Sequence, residues 1–275
     1  MNRMRMRRFA GAVAMLVLLL AMLGGAALAD GLTVEEVVQR TEQVAYYQGD
    51  DGKARVTMTI TDGQGRVRNR RFQILRRDQV GEAGEGTAQQ KYFVHIKYPA
   101  DVKNTVFMVW KHPERDDDRW LYLPALDLVK RIAAGDKRTS FLGSDFCYED
   151  ISGRSINDDR HRLIETTDDY YVLENVPKRP EQVDFSRFTM WIHRDSFVPV
   201  RVEYFDAQDR KYREYEVLEV ATIQGHPTVM KSRMKDLRDG GDTVLEFDRV
   251  AYDLGLPEGI FSERYLRQPP VSYLK

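Results

Sequence analysis

Cysteine occurs once in these 275 residues, at Cys147, and histidine only five times. A single thiol cannot close an internal disulfide, so burial and hydrogen bonding must hold the fold without a covalent staple. His95, His112, His161, His193 and His226 are scattered without metal-ligand spacing, and paired-cysteine zinc patterns are absent. Also missing are a G-x-S-x-G nucleophile elbow, an H-E-x-x-H helix and a glycine-rich phosphate loop. Asp116-Asp117-Asp118 supplies adjacent carboxylates but lacks the alternation and glycine of a calcium loop, and it reads as a solvated turn. No metal, cofactor or catalytic constellation is therefore expected. Neither charge sign dominates, with 42 basic residues against 43 acidic ones, so nucleic acid is not an expected partner.

Long apolar runs are lacking beyond the N-terminus. There, Arg3, Arg5, Arg7 and Arg8 precede the apolar stretch Ala10 to Leu23, and Ala27-Leu28-Ala29 gives a small-x-small pattern. Residues 1–29 thus read as a cleaved signal peptide, which predicts a periplasmic protein. Without its four arginines the remainder carries 38 basic and 43 acidic residues, a net charge of about -5. Residues 30–275 are expected to form a single domain.

What is abundant is alternation. Thr33 and Glu36 fit a capping box ahead of Val34, Val37, Val38, Thr41, Val44 and Ala45, which share one helical face. From Arg55 onward the period becomes two. Thirteen strand-like runs follow, joined by turns such as Gly63-Gln64-Gly65, Gln224-Gly225-His226-Pro227 and Asp239-Gly240-Gly241-Asp242. A polar loop is expected between Asp78 and Gln90. The composition is that of a mainly β protein with short helices (α+β), built on an antiparallel meander or barrel. In mid-chain both strand faces are apolar. Val106, Met108 and Trp110 alternate with Thr105, Phe107 and Val109, and Trp120 and Tyr122 oppose Leu121 and Leu123. Such strands are covered on both sides, by packed core or by an apolar cavity. Methionines at Met58, Met108, Met190, Met230 and Met234 suit either arrangement.

The segment WLYLPALDLVKRIAAGDKRTSFLGSDFCYEDI, Trp120 to Ile151, resembles the hallmark block of bacterial outer-membrane lipoprotein-sorting proteins, relatives of the carrier LolA often described beside RND-type exporters. The resemblance implies a half-open antiparallel β-barrel of about eleven strands, with helices plugging an apolar cavity. On that footing the residues expected to line or cover the cavity are Met58, Met108, Trp110, Trp120, Tyr122, Phe141, Phe146, Tyr148 and Met190. The basic cluster Lys130, Arg131, Lys137 and Arg138 is expected to contact lipid head groups or an acidic partner. FLGSDFCYEDI itself, Phe141 to Ile151, is expected to be a short helical insert over the mouth, capped by Ser144 or Asp145, with Cys147 as an apolar filler.

Three functions compete at this level. A carrier or chaperone would bury acylated cargo, lipoprotein or lipid, with transient membrane contact on the way to the outer membrane. An accessory subunit would dock on an inner-membrane RND-type transporter and carry nothing. An enzyme would need Cys147 or an Asp–His pair as its reactive group, and no local signature supports one.

Overall fold

A computed structural model describes residues 31–79 and 89–275, so the expected signal peptide and the centre of the 78–90 loop lie outside the described residues. Helix α1 (Val34–Tyr46) begins where the capping box places it. The Thr33 N–H donates to Glu36 Oε2 at 2.7 Å, and the Glu36 N–H donates to Thr33 Oγ1 at 3.1 Å. These two bonds satisfy amides that a first helical turn leaves open.

The strands are β1 (Asp51–Thr61), β2 (Val67–Gln79), β3 (Gln89–Tyr98), β4 (Val106–Lys111), β5 (Asp118–Leu123) and β6 (Leu128–Arg131). After them come β7 (Asp159–Thr166), β8 (Tyr170–Pro177), β9 (Arg187–His193), β10 (Pro199–Phe205), β11 (Lys211–Ile223), β12 (His226–Asp236) and β13 (Asp242–Tyr252). All thirteen pair antiparallel in one open sheet of order β6-β5-β4-β3-β2-β1-β13-β12-β11-β10-β9-β8-β7. The sheet has thirteen strands where the family resemblance implied about eleven. Each run of period-two residues formed its own strand, down to the four-residue β6.

The order has a topological consequence. It contains two meanders, β1–β6 and β7–β13, joined in the middle by pairing of β1 with β13, where Met58 faces Leu245. Strands β6 and β7 are therefore the two outer edges, although they follow one another in the chain. The connection between them, residues 132–158, has to travel from one edge of the sheet to the other. It carries Phe141 to Ile151, and it makes that stretch a belt across one face. The sheet curls enough at one end for Arg179, after β8, to lie 3.7 Å from Asp116 in the β4–β5 turn.

Side-chain alternation sorts the sheet's two faces. On the belt side Val56, Met58, Ile60, Phe72, Val94, Phe107 and Val109 pack with Ile132, Phe141 and Phe146. On the opposite side Leu75, Phe93, Val106, Met108 and Trp120 pack beneath the C-terminal strap, through Leu256, Ile260, Phe261, Leu266 and Leu274. The strap includes the short helix α3 (Arg264–Arg267), and Trp110 Nε1 donates to its Phe261 carbonyl at 2.7 Å. Strands β3 to β5 are apolar on both faces because belt and strap cover them from the two sides.

Candidate functional site: an apolar cavity behind the belt

A cavity of about 390 Å³ lies on the belt side of the sheet. Helix α1 forms one wall with Val38, Thr41, Ala45 and Tyr46, while the belt contributes Phe146, Ile151 and Arg154. The floor comes from strands on both sides of the β1–β13 seam, including Val56, Phe72 and Ile74 from one meander and Leu173, Met190, Val202, Met234 and Leu245 from the other. Val37 and Val38 seat α1 against Tyr171, Leu173 and Ile192, which is the use the sequence makes of the helix's apolar face.

Only two of the nine residues expected at the cavity, Phe146 and Met190, lie on its wall. Met58 and Phe141 are wholly buried in the belt-side core, and Tyr148 packs with its ring 5.0 Å from Phe107 and 5.6 Å from Phe141. Met108, Trp110, Trp120 and Tyr122 belong to the opposite face, under the strap. Period two identifies the residues that share a face but not the element that covers it, so these four fall on the face away from this cavity. Strand alternation alone did not point to the α1 wall or the floor strands β8 to β13.

The belt is fastened by hydrogen bonds and charge. The Phe141 N–H donates to the Phe146 carbonyl at 2.7 Å, and Ser140 bridges Cys147, so FLGSDF is a tight hairpin. Leu142 and Gly143 both have positive φ at its tip. The Asp145 N–H donates to Thr243 Oγ1 at 3.0 Å, and that hydroxyl donates to Asp145 Oδ2 at 2.6 Å, which ties the hairpin to β13. Helix α2 (Tyr148–Ser152) follows and is capped by Cys147, not by Ser144 or Asp145: the Cys147 N–H donates to Asp150 Oδ2 at 2.6 Å. At the helix's C-terminal end Gly153 has φ +81°, and a Cβ there would fall 2.6 Å from the Tyr46 ring of α1. Only glycine fits that approach.

The acids of the YED run meet cations from three directions. Glu149 lies 2.8 Å from Lys137 Nζ, 3.2 Å from Arg154 and 3.4 Å from Arg138. Asp150 accepts from Arg213 Nη2 of β11 and lies 3.6 Å from Arg138. Arg154 also pairs with Asp159 at 2.8 Å, and Arg138 with Asp184 at 2.9 Å. Burial alone would push the Asp150 carboxyl up, but the fields of Arg213 and Arg138, with hydrogen bonds from Arg213 and Cys147, hold it down at about 2. Glu149 is likewise held below its ordinary range against the effect of burial, by Arg154, Lys137 and Arg138. Of the expected head-group contacts, Lys137 and Arg138 are thus buried struts of the belt, a correction that the acids eleven to thirteen residues downstream explain. Lys130 and Arg131 do stand exposed on edge strand β6, where Arg131 pairs with Asp118 and lies over the Trp120 ring.

Cys147 is 4% exposed, and burial together with the neighbouring Asp150 pushes its thiol up to about 12. The attacking form of cysteine is the thiolate, so a thiol raised in this way is mostly protonated at neutral pH. His95 is driven down to about 4 by burial and by Lys97, which keeps it neutral. A second polar cluster stands at the end of α1. Arg76 donates to the carbonyls of Tyr46 at 2.5 Å, Gly49 at 2.9 Å and Gln48, placing a cation where the helix leaves its carbonyls open. Its neighbour Asp78, 3.3 Å away, is raised by burial to about 6. Among the described residues no group of three or more His, Cys, Asp or Glu converges as a metal site, and no helix is long and apolar enough to cross a membrane.

A family model described only as an uncharacterized protein matches residues 88–268. No curated protein matches the chain. Among solved structures, a DUF1329 family protein from Desulfovibrio piger is 31% identical, over 84% of this chain and 96% of that one, with a TM-score of 0.76. A putative outer membrane lipoprotein-sorting protein domain from Vibrio parahaemolyticus is 25% identical, over 85% and 97%, with a TM-score of 0.75. A LolA superfamily protein from Nitrosomonas europaea shares the fold at 19% identity, over 85% and 99%, with a TM-score of 0.65.

Proposed function

The chain belongs to the DUF1329 family, and from that premise we propose that it is a periplasmic carrier or chaperone that takes acylated cargo, lipoprotein or lipid, into the cavity behind the belt for transfer toward the outer membrane. The observation that carries this reading is an apolar cavity, bounded by a helix and a fastened belt, in a fold shared with a putative lipoprotein-sorting domain. An acyl chain gains about 0.8 kcal/mol per CH₂ from leaving water, so its unaided passage through an aqueous compartment is slow. A protein wall of valine, leucine, isoleucine and phenylalanine offsets that cost without covalent chemistry. A buried, protonated thiol at Cys147 fits a carrier better than a cysteine hydrolase. Export rests on the pattern of residues 1–29, and N-terminal sequencing of the protein from an envelope fraction should begin at Asp30.

The test is mass spectrometry of lipids extracted from protein purified without detergent. Stoichiometric acylated species support a carrier. Protein that is empty as isolated and also fails to bind added acyl chains overturns the reading. A second reading draws on β6, an outer edge of the sheet among the described residues, where Leu128 is exposed beside Lys130 and Arg131 and Leu126 is exposed in the turn before it. An unpaired edge can accept a strand from another protein, so an accessory subunit of an RND-type exporter would dock there. Cross-linking from position 130 to a membrane transporter, together with absent lipid binding, would favour that reading over the carrier.

A further inference from the structure

We propose that one rim of the sheet, where β1 turns into β2 and β3 into β4, docks on an anionic phospholipid bilayer. This goes beyond the carrier reading and stands or falls separately from it.

In an antiparallel meander alternate turns fall at the same end, so residues 62–66, 99–105 and 124–127 share a rim. The chain as a whole is balanced, with 42 basic and 43 acidic residues, but this rim is not. Residues 66–71 contain four arginines and no acid, and Lys97 and Lys103 stand near the end of β3 and in the turn after it. Arg66 is held by Asp62, its Nε donating to Oδ2 at 2.7 Å. Arg68, Arg70, Arg71, Lys97 and Lys103 have no carboxylate partner among the described residues. Arg68 donates to the Gly143 carbonyl at the belt tip at 3.2 Å, and Arg70 to the adjacent Asn69 carbonyl at 3.2 Å. Arg71 lies 4.8 Å over the Tyr98 ring. Burial, and then the field of Lys103, holds the Lys97 ammonium below its ordinary range. Asp101 is the only other acid of the first two turns, and beyond β1 the rim changes sign at Asp239 and Asp242. The cationic sector is thus confined to the first meander.

These cations fan out instead of converging. Arg68 and Arg70 are in phase with Phe72 on the belt side, and Arg71 with Leu75 on the strap side. No single small anion reaches all of them, whereas a surface met end-on does. Apolar side chains stand among them in water: Val67 is 57% exposed, Tyr98 44%, and Leu126 in the next turn along 69%. Cations interleaved with aliphatic groups and a tyrosine match the head-group boundary of a bilayer, where charge meets phosphate and apolar tips enter the acyl border. An acidic protein would need a fixed pocket for each tip, which a fluid lipid surface does not.

Flotation of the purified protein with lipid vesicles tests this. Phosphatidylcholine vesicles containing about a third phosphatidylglycerol should bind it at low salt, and pure phosphatidylcholine should not. Raising the salt to about 0.5 M should abolish binding, because screening then acts within a few ångström. Each cation near such a surface strengthens binding about fivefold, so Arg68→Gln, Arg71→Gln and Lys103→Gln together should weaken it about a hundredfold. All three side chains are exposed, and circular dichroism should show the fold intact. The same charge removed from other exposed positions, by Arg160→Gln, Lys178→Gln and Arg249→Gln, should weaken binding by less than about threefold. Equal binding to both kinds of vesicle, or a rim variant no weaker than this control, overturns the proposal. So does retention on immobilised polyglutamate with no binding to anionic vesicles, which would make the partner an acidic protein. Both kinds of vesicle offer acyl chains, so uptake into the cavity does not mimic the expected difference, and a protein found empty of lipid leaves the vesicle result standing.

Discussion

Replacing Phe141 and Phe146 by alanine, one at a time, should separate what the belt does for stability from what it does for capacity. Phe141 has no solvent exposure and is enclosed by three rings, with centroids at 5.9 Å for Phe72, 5.7 Å for Phe107 and 5.6 Å for Tyr148. It is not part of the cavity wall. Phe141→Ala therefore leaves a closed void in a dense core and should cost about 3–5 kcal/mol, the usual range for a buried phenylalanine. For a chain of this size each kcal/mol lowers Tm by roughly 2–4 °C, so the midpoint should fall by about 6–20 °C. Phe146 stands on the cavity wall with its ring 6.5 Å from Tyr215. Its removal enlarges a space that already exists, so Phe146→Ala should cost less, about 2–3 kcal/mol. It should also change the affinity for acyl chains, which Phe141→Ala should not. Urea unfolding followed by circular dichroism measures the first quantity, and fatty-acid titration the second. A loss below about 1 kcal/mol for Phe141→Ala would mean that the belt is not packed as described, and equal acyl-chain affinities would refute the division of labour.

Three further outcomes follow from the charged and strained positions. Asp150→Asn leaves Arg213 and Arg138 buried with too little opposing charge and should cost about 3–5 kcal/mol in a urea titration at pH 7. Because Asp150 titrates at about 2, below its unfolded value, its stabilisation is complete above about pH 4 and is lost as pH falls toward 2. The asparagine variant should lack that acid-side slope. Asp78 is the opposite case: raised to about 6, it favours the fold below about pH 4 and loses roughly 3 kcal/mol as pH rises through 6. Asp78→Asn should flatten the stability curve between pH 4 and 7, and a slope unchanged in the variant would exclude this carboxylate as its source. Gly153→Ala forces a Cβ against the Tyr46 ring at a positive φ and should destabilise by about 2–3 kcal/mol, whereas Gly135→Ala, with open space around it, should change little.

The local elements were legible in the sequence because their signals are local. Thr33 and Glu36 marked the start of α1, and alternation placed all thirteen strands, with Gly-Gln-Gly and Asp-Gly-Gly-Asp at their turns. The apolar character of both faces of β3 to β5 was legible too. The covering elements were not, since Phe141 and Phe261 reach opposite faces of the same strands from distant parts of the chain. Cavity residues were hardest to find. A wall built from α1 and from strands of both meanders depends on β1 meeting β13, and no short-range pattern encodes that pairing. Lys137 and Arg138 looked solvated because a basic run next to a glycine usually is. Their burial depends on the belt folding back so that Glu149 and Asp150 reach them.

The seam between β1 and β13 also bears on how such a chain matures. Each meander pairs only neighbouring strands and can form as soon as its residues are available. The central ladder instead joins one of the earliest strands to the last, Ile60 with Thr243 and Val56 with Phe247. Long-range closure of this kind is the slow step in β topologies. Until it occurs, β1 and β13 are both open hydrophobic edges, and the floor of the cavity is split in two. A polypeptide cut short before residue 242 would own most of its strands yet lack the seam that joins the cavity floor, and would keep two adhesive borders. The last strand made is thus the one that joins the two halves of the cavity floor.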